Sequence, residues 1–291
     1  MSTFKEINEY RIMKPGIGLS LLGCVFLFCL IVASLIIGML SKIIARPEAA
    51  LRVCTVVQDF MVFIIPAIVT AMVASRLPAR LLAVDRGPGW GGVLLTLLAM
   101  CVSVPAMNVL IEWNQDISLP ESLAGFEAQM RAMEDAAAES AKMLIGGSGV
   151  GALIVSVLIV GVLAGFSEEL FFRGALQRLL GMTKLNKHAA IWIAAFVFSA
   201  IHFQFFGFVP RLLLGAFFGY LLWWSGSLWL PIIAHVFNNT VVVLSEYYQN
   251  ADPSATDINT FGVGNVTAAI ASLVLTAAAI WLVRRNLVSR Q

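Results

Sequence analysis

The sequence predicts an all-α fold: a polytopic membrane helix bundle of about eight transmembrane helices, with N- and C-termini cytoplasmic. Three observations lead there. Of 291 residues, 59% are hydrophobic and only 12% charged, against about 25% charged in soluble domains, and the mean hydropathy is +0.88. The apolar residues gather into runs of roughly 20, the length a helix needs to cross the hydrocarbon core. The charges between the runs are unevenly shared, with Lys and Arg favouring one side.

The runs fall at about 17–41, 53–75, 90–111, 148–180, 188–205, 208–225, 228–247 and 263–283. The first follows Lys5, Arg11 and Lys14 but is longer than the roughly 7–15 apolar residues of a signal peptide, so it reads as a span. The fifth and sixth meet at a tight turn near Gly207, and Pro210 suits the start of a helix. With the N-terminus inside, the cytoplasmic segments hold thirteen of the 19 Lys and Arg. These are Lys5, Arg11 and Lys14; Arg76, Arg80 and Arg86; Arg173, Arg178, Lys184 and Lys187; and Arg284, Arg285 and Arg290. That asymmetry obeys the positive-inside rule. Because membrane helices share one core, residues 1–291 read as a single integral-membrane domain. The four cysteines, Cys24, Cys29, Cys54 and Cys101, sit in apolar runs without metal-ligand spacing and read as small hydrophobic fillers.

Residues 112–147 stand apart, with seven acidic residues against two basic ones. The stretch "EAQMRAMEDAAAESAKML" alternates Met, Ala and charge at helical spacing, which predicts an extracytoplasmic amphipathic surface helix. It reads first as a solvated cap, second as a lid or a docking surface. Repeats, phosphate loops and nucleic-acid motifs are missing from the sequence, so no nucleic-acid partner is expected.

The chemistry is expected in residues 148–247, where ionisable groups interrupt apolar runs. Intramembrane charges are costly and mark sites or pathways, although polar side chains also hold membrane bundles together. Asp59 on the second span takes that structural reading. In "FSEELFFRGAL", Glu169 and Arg173 are four residues apart and stack on one helix face, acid first. Glu168 points about 100° away and is left without that partner. Separating two acids in this way gives them different protonation roles, and an unpaired Glu168 suits a general base.

Depth brings the other polar groups to the same layer. His202 lies roughly 20 Å along its span, Glu168 about 18 Å deep if its helix continues to Leu180, and His235 and Asn239 about 10–17 Å along theirs. Phe198 and His202 are four apart, as are His235 and Asn239, so each pair shares a face. A carboxylate, two imidazoles and a carboxamide in a shielded cavity can activate water and stabilise an oxyanion. Water needs a path, expected from the cytoplasmic side.

Three motifs, "EELFFR" at 168–173, "FSAIH" at 198–202 and "HVFNN" at 235–239, together resemble the CAAX-protease and bacteriocin-processing (Abi, CPBP) family of intramembrane proteases. Its pattern is EExxxR, FxxxH and HxxxN or HxxxD on the fourth, fifth and seventh of eight spans. The resemblance covers about a third of the chain. It implies that Glu168 with His202 activates the attacking water, that His235 and Asn239 hold the oxyanion, that Glu169 and Arg173 support Glu168, and that Phe198 packs beside the site. The implied partners are the lipid bilayer and a membrane-associated peptide or protein substrate, and the implied location is a bacterial cytoplasmic membrane.

Members of that family are described both as glutamate and as metalloproteases. No HExxH is present; Glu168, His202 and His235 could supply three zinc ligands, but Asn239 is a better oxyanion donor than ligand, which favours a metal-free glutamate mechanism. Two other readings stay open: a non-catalytic binding or bacteriocin-immunity protein on the same scaffold, and a proton-coupled transporter. The transporter reading lacks the paired, interrupted spans of two related halves.

Overall fold

Prolines open the first two helices, where a missing N–H costs nothing. In the computed structural model, which describes residues 11–147, 149–252 and 258–289, α1 runs Pro15–Ile43 and α2 Pro47–Ala74. Then come α3, Trp90–Gln115, and α4, Ala124–Ile145. The long α5, Val150–Gly181, is followed by α6, Lys187–Ala200, and α7, Phe208–Ser225. Finally α8 runs Trp229–Ala251 and α9 Val266–Val288. No β-strand occurs among the described residues. Lys5 and Arg290 of the charge tally lie outside them.

The chain is an integral multi-pass membrane protein. Six helices are long and apolar enough to cross a membrane: α1, α2, α3, α5, Phe205–Ser225 and α9. The outward faces of α1 and α9 leave large apolar side chains uncovered, among them Phe28, Leu35, Leu273 and Val274, as lipid-facing surfaces do. At the expected fifth position α6 has only 14 residues. At the seventh, α8 has 23 but carries His235, Asn238, Asn239 and Thr240, and it falls outside the six. All four cysteines are free thiols.

The fifth run does not stay helical to 205. The helix ends at Ala200, the backbone turns through Ile201 and His202, and Phe203 takes a positive φ of 53°. A single 3-10 turn, Phe205–Gly207, leads into α7. Side chains satisfy the freed backbone groups: Ser199 Oγ donates to the Phe208 carbonyl at 2.8 Å. Asn114, 2% exposed, donates to the Phe205 carbonyl at 3.2 Å and accepts from the Val209 amide at 2.8 Å.

Two interior clusters hold the bundle. One joins α1, α2 and α5 around Phe63, Phe171 and Phe172. The other joins α3, α7, α8 and α9 around Phe218, Leu230 and Val283. Both α2 and α5 contain wider π turns, at Asp59–Ile64, Val157–Leu163 and Leu170–Gln177. The first precedes Pro66, which has no N–H to offer the turn before it; the other two flank the segment with Glu168 and Glu169. Such insertions often lie at functional sites.

The acidic segment is helical as expected. It begins in the last residues of α3 and continues through Glu121–Leu123 into α4. Glu127 clasps it: its carboxylate accepts from the Leu119 amide at 2.7 Å and from Arg131 Nε at 2.9 Å. Arg52 of α2 bonds the Leu144 carbonyl at the other end of α4.

Candidate active site

Glycines set the distance between α5 and α8. A Cβ on Gly161 would lie 2.8 Å from Thr240 Oγ1, and one on Gly165 would lie 3.0 Å from the Val236 amide nitrogen. With hydrogen there instead, the helices touch, and the next turn of α5 brings Glu168 and Glu169 beside His235. The α5–α7 contact uses the same device. Arg173 Nη2 donates to the Gly215 carbonyl and Gln177 Nε2 to the Gly219 carbonyl, each at 3.0 Å.

Glu169 and Arg173 are both 0% exposed. Glu169 Oε1 accepts from Arg173 Nη1 at 2.7 Å, the expected pair. The same oxygen also lies 2.8 Å from His235 Nδ1, a contact the motif spacing does not announce. A carboxylate oxygen only accepts, so Nδ1 carries the proton and Nε2 is turned to the other side. There His235 Nε2 faces Glu168 Oε2 at 3.7 Å, too far for a hydrogen bond.

His202 is oriented in a parallel way. Its Nδ1 lies 2.7 Å from the Phe198 carbonyl, which can only accept, so Nε2 is left as the free acceptor. Phe198, 2% exposed, separates the imidazoles. Its ring centre is 5.1 Å from that of His202 and 5.8 Å from that of His235, edge-on to both, and the Arg173 guanidinium sits 4.4 Å from it.

Glu168, Phe198, His202, His235 and Asn239 line one cavity of about 1650 Å³. Glu169 and Arg173 stand behind it, buried. The structure therefore gathers all the residues singled out from the sequence, but with one change of neighbours. Glu168 is in electrostatic range of His202, yet its closest imidazole is His235, and no ion pair joins it to His202 among the described residues. Asn239 Nδ2 donates to the Val160 carbonyl at 3.1 Å, in the π turn where the helical ladder is shifted, which leaves one amide hydrogen uncommitted.

The cavity also has residues that the sequence reading passed over. Asn238, beside Asn239, and Arg211, on the first turn of α7, line it. Behind it, Asp59 is 3% exposed, and its Oδ2 has no partner. The lining reaches Glu112, Trp113, Gly207 and Phe261, at the end of the bundle that carries the acidic segment. It also reaches Trp192, Trp224 and Ile280 toward the opposite end, so the cavity runs along much of the bundle.

Histidines with Nδ1 tied to a carboxylate or carbonyl resemble those that bind metals through Nε2. Among the described residues, however, no three His, Cys, Asp or Glu side chains are placed to hold a metal ion. Glu168, His202 and His235, the three residues that the alternative zinc reading would use, do not form such a group.

Residues 150–241, from α5 into α8, match the family model described as type II CAAX prenyl endopeptidase Rce1-like. This segment, about a third of the chain, is similar to the CAAX-protease family. The matched segment contains all three motifs. Over 86 residues the chain is 29% identical to the protein YpbD of Bacillus subtilis (strain 168); the match covers 28% of this chain and 41% of YpbD. The chain thus spans less than half the length of this curated relative. No solved structure matches it.

Proposed function

We propose that the chain is an intramembrane endopeptidase that hydrolyses a peptide bond of a membrane-associated protein or peptide by a glutamate mechanism. The observation that supports this most is the shared cavity: Glu168 and the two imidazoles meet inside an apolar bundle, each Nδ1 already occupied. Glu168 takes a proton from water, and His202 Nε2 accepts the second hydrogen bond that aims the oxygen. The hydroxide forms the new bond to the carbonyl carbon, and the carbonyl oxygen becomes the oxyanion. Asn239 donates its uncommitted amide hydrogen to it. His235 can donate only when Nε2 is protonated, and the Glu169 carboxylate on Nδ1 stabilises that cation. The oxyanion then re-forms the carbonyl as the C–N bond breaks, and Glu168 returns its proton to the leaving amine.

The test is a comparison of peptide termini in membranes making the wild type or Glu168→Gln at equal levels. New termini present only with the wild type are expected, since a positioned acid–base contributes roughly 10²–10⁴-fold. Identical profiles from a folded variant that still supports the cell's phenotype would instead favour the binding or immunity reading.

A further inference from the structure

Arg211 is a cation in the wall of the cavity. Its Nη2 donates to Gln204 Oε1 at 2.7 Å and its Nη1 to the Gln204 carbonyl at 3.4 Å. Both acceptors are neutral. Among the described residues no carboxylate is within ion-pair distance of it. Glu134 of α4 and Glu168 are within electrostatic range, but Glu134 accepts from the Phe206 amide at 3.2 Å. Arg173, the other guanidinium at this depth, has its own carboxylate in Glu169.

A guanidinium stays charged under all ordinary conditions, and charges drawn away from water require a counter-charge or a strong hydrogen-bond set. Arg211 has five N–H donors, of which two are used within the protein. Its planar fork matches a carboxylate in bidentate fashion. It lines the same cavity as Glu168, His202 and His235 and is felt electrostatically by both Glu168 and His202. The rest of the nearby wall is largely apolar, including Leu213, Leu214 and Phe217.

We propose that Arg211 is a specificity-determining residue that binds a carboxylate of an otherwise apolar peptide, close to the bond presented to Glu168. This rests on the endopeptidase reading for the peptide's role as substrate, but not for its binding. The carboxylate is either an acidic side chain or a free chain terminus, and the two are separable. Gln204 holds the guanidinium in place from the other side.

The experiment measures binding by the full-length Glu168→Gln protein in lipid nanodiscs, so that cleavage does not intervene. The probes are fluorescent apolar hexapeptides made as free acid or C-terminal amide, and as amides carrying one internal Glu or Gln. At least one acidic peptide is expected to bind about tenfold more tightly than its neutral twin, as befits a hydrogen bond to a charged group. The twin that discriminates identifies the source of the carboxylate. Adding Arg211→Gln should bring that ratio to about one, and Arg211→Lys should restore part of it, because Lys keeps charge but not the fork. Equal binding of every acid and its twin to the Arg211 protein overturns the proposal, and this comparison holds even if Arg211→Gln fails to fold. A preference that survives in folded Arg211→Gln overturns it as well. A wild type that binds acidic peptides selectively but releases no products would count against the endopeptidase reading alone.

Discussion

Glu169 Oε1 holds Arg173 and His235 at once, at 2.7 Å and 2.8 Å. One oxygen thereby neutralises the guanidinium and fixes which imidazole nitrogen faces Glu168. The proposed mechanism therefore gives the two adjacent glutamates separable duties, one structural and one chemical.

That separation predicts opposite outcomes for the same substitution. Glu169→Gln leaves Arg173 as an uncompensated charge in a fully buried position, and breaking a buried pair costs roughly 3–5 kcal/mol. Glu168→Gln neutralises a side chain that is 15% exposed and, among the described residues, has no ion-pair partner except His235, so stability should be unchanged or slightly raised. Thermal unfolding of both variants in one detergent would decide it. Equal losses would mean that Glu168 also holds the bundle together.

A second prediction concerns the α5–α7 contact. A Cβ on Gly219 would lie 2.6 Å from Gln177 Oε1 and 2.8 Å from Ile191 Cγ2; one on Gly215 would lie 3.0 Å from Arg173 Nη2 and 3.1 Å from Phe198 Cδ1. Overpacking of this kind costs about 1–3 kcal/mol. Ala at either position should lower the unfolding temperature, and at Gly215 it should also depress hydrolysis by moving Phe198. Gly23 has nothing within 4 Å of its Cβ position, so Gly23→Ala should be neutral or stabilising. Similar behaviour of all three would contradict the close contact.

How much of this the sequence discloses depends on which signals are local. Glu168, Glu169 and Arg173 stand out because charges interrupt an apolar run, and the i, i+4 geometry of a helix pairs the last two without tertiary knowledge. The end of α6 was not legible: "IHFQFFGFV" is nearly as apolar as the helix before it, so hydropathy continues to 205 while the backbone has already turned. What stops it is distant, in Asn114 and in the Phe208 carbonyl. The bond from His235 to Glu169 joins residues 66 apart and depends on Gly161 and Gly165, whose smallness looks unremarkable in a membrane span. Arg211 looked like a residue near a span's end; only packing shows it in the cavity wall.

The turn that bears His202 supplies a third prediction. Asn114→Ala would strip partners from both the Phe205 carbonyl and the Val209 amide, and unsatisfied buried polar groups cost about 1–3 kcal/mol. Hydrogen exchange at 201–209 should accelerate and hydrolysis should fall, with α1 and α9 unaffected. Unchanged exchange there would show that Glu134 and Ser199 suffice to hold the turn.

Acid should loosen the clasp of the outer segment. The Leu119 amide, and after it Arg131, hold the Glu127 carboxyl below its ordinary value. A carboxylate depressed in this way stabilises the folded clasp above its unfolded pKa and loses that contribution as pH falls through the folded one. A nitroxide on Ser122 should therefore gain mobility between neutral pH and a pH below the usual carboxylate range. In Glu127→Gln it should already be mobile at neutral pH. A wild-type spectrum that stays constant into acid would show that the clasp does not depend on this charge.

Chelation distinguishes the two mechanisms open to the proposed endopeptidase. The proposed glutamate mechanism assigns every step to Glu168, His202, His235 and Asn239, with Arg173 and Glu169 as their support. Purified enzyme treated with EDTA and then dialysed should retain its rate, and added zinc should not raise it. Asn239→Asp sharpens the comparison, because a carboxylate is a better metal ligand than a carboxamide but offers no amide hydrogen to an oxyanion. The substitution should lower the rate by about 10²–10³-fold, as loss of one oxyanion donor does. Loss of activity on chelation, recovered by zinc and enhanced by Asn239→Asp, would replace the glutamate mechanism with a metal-dependent one.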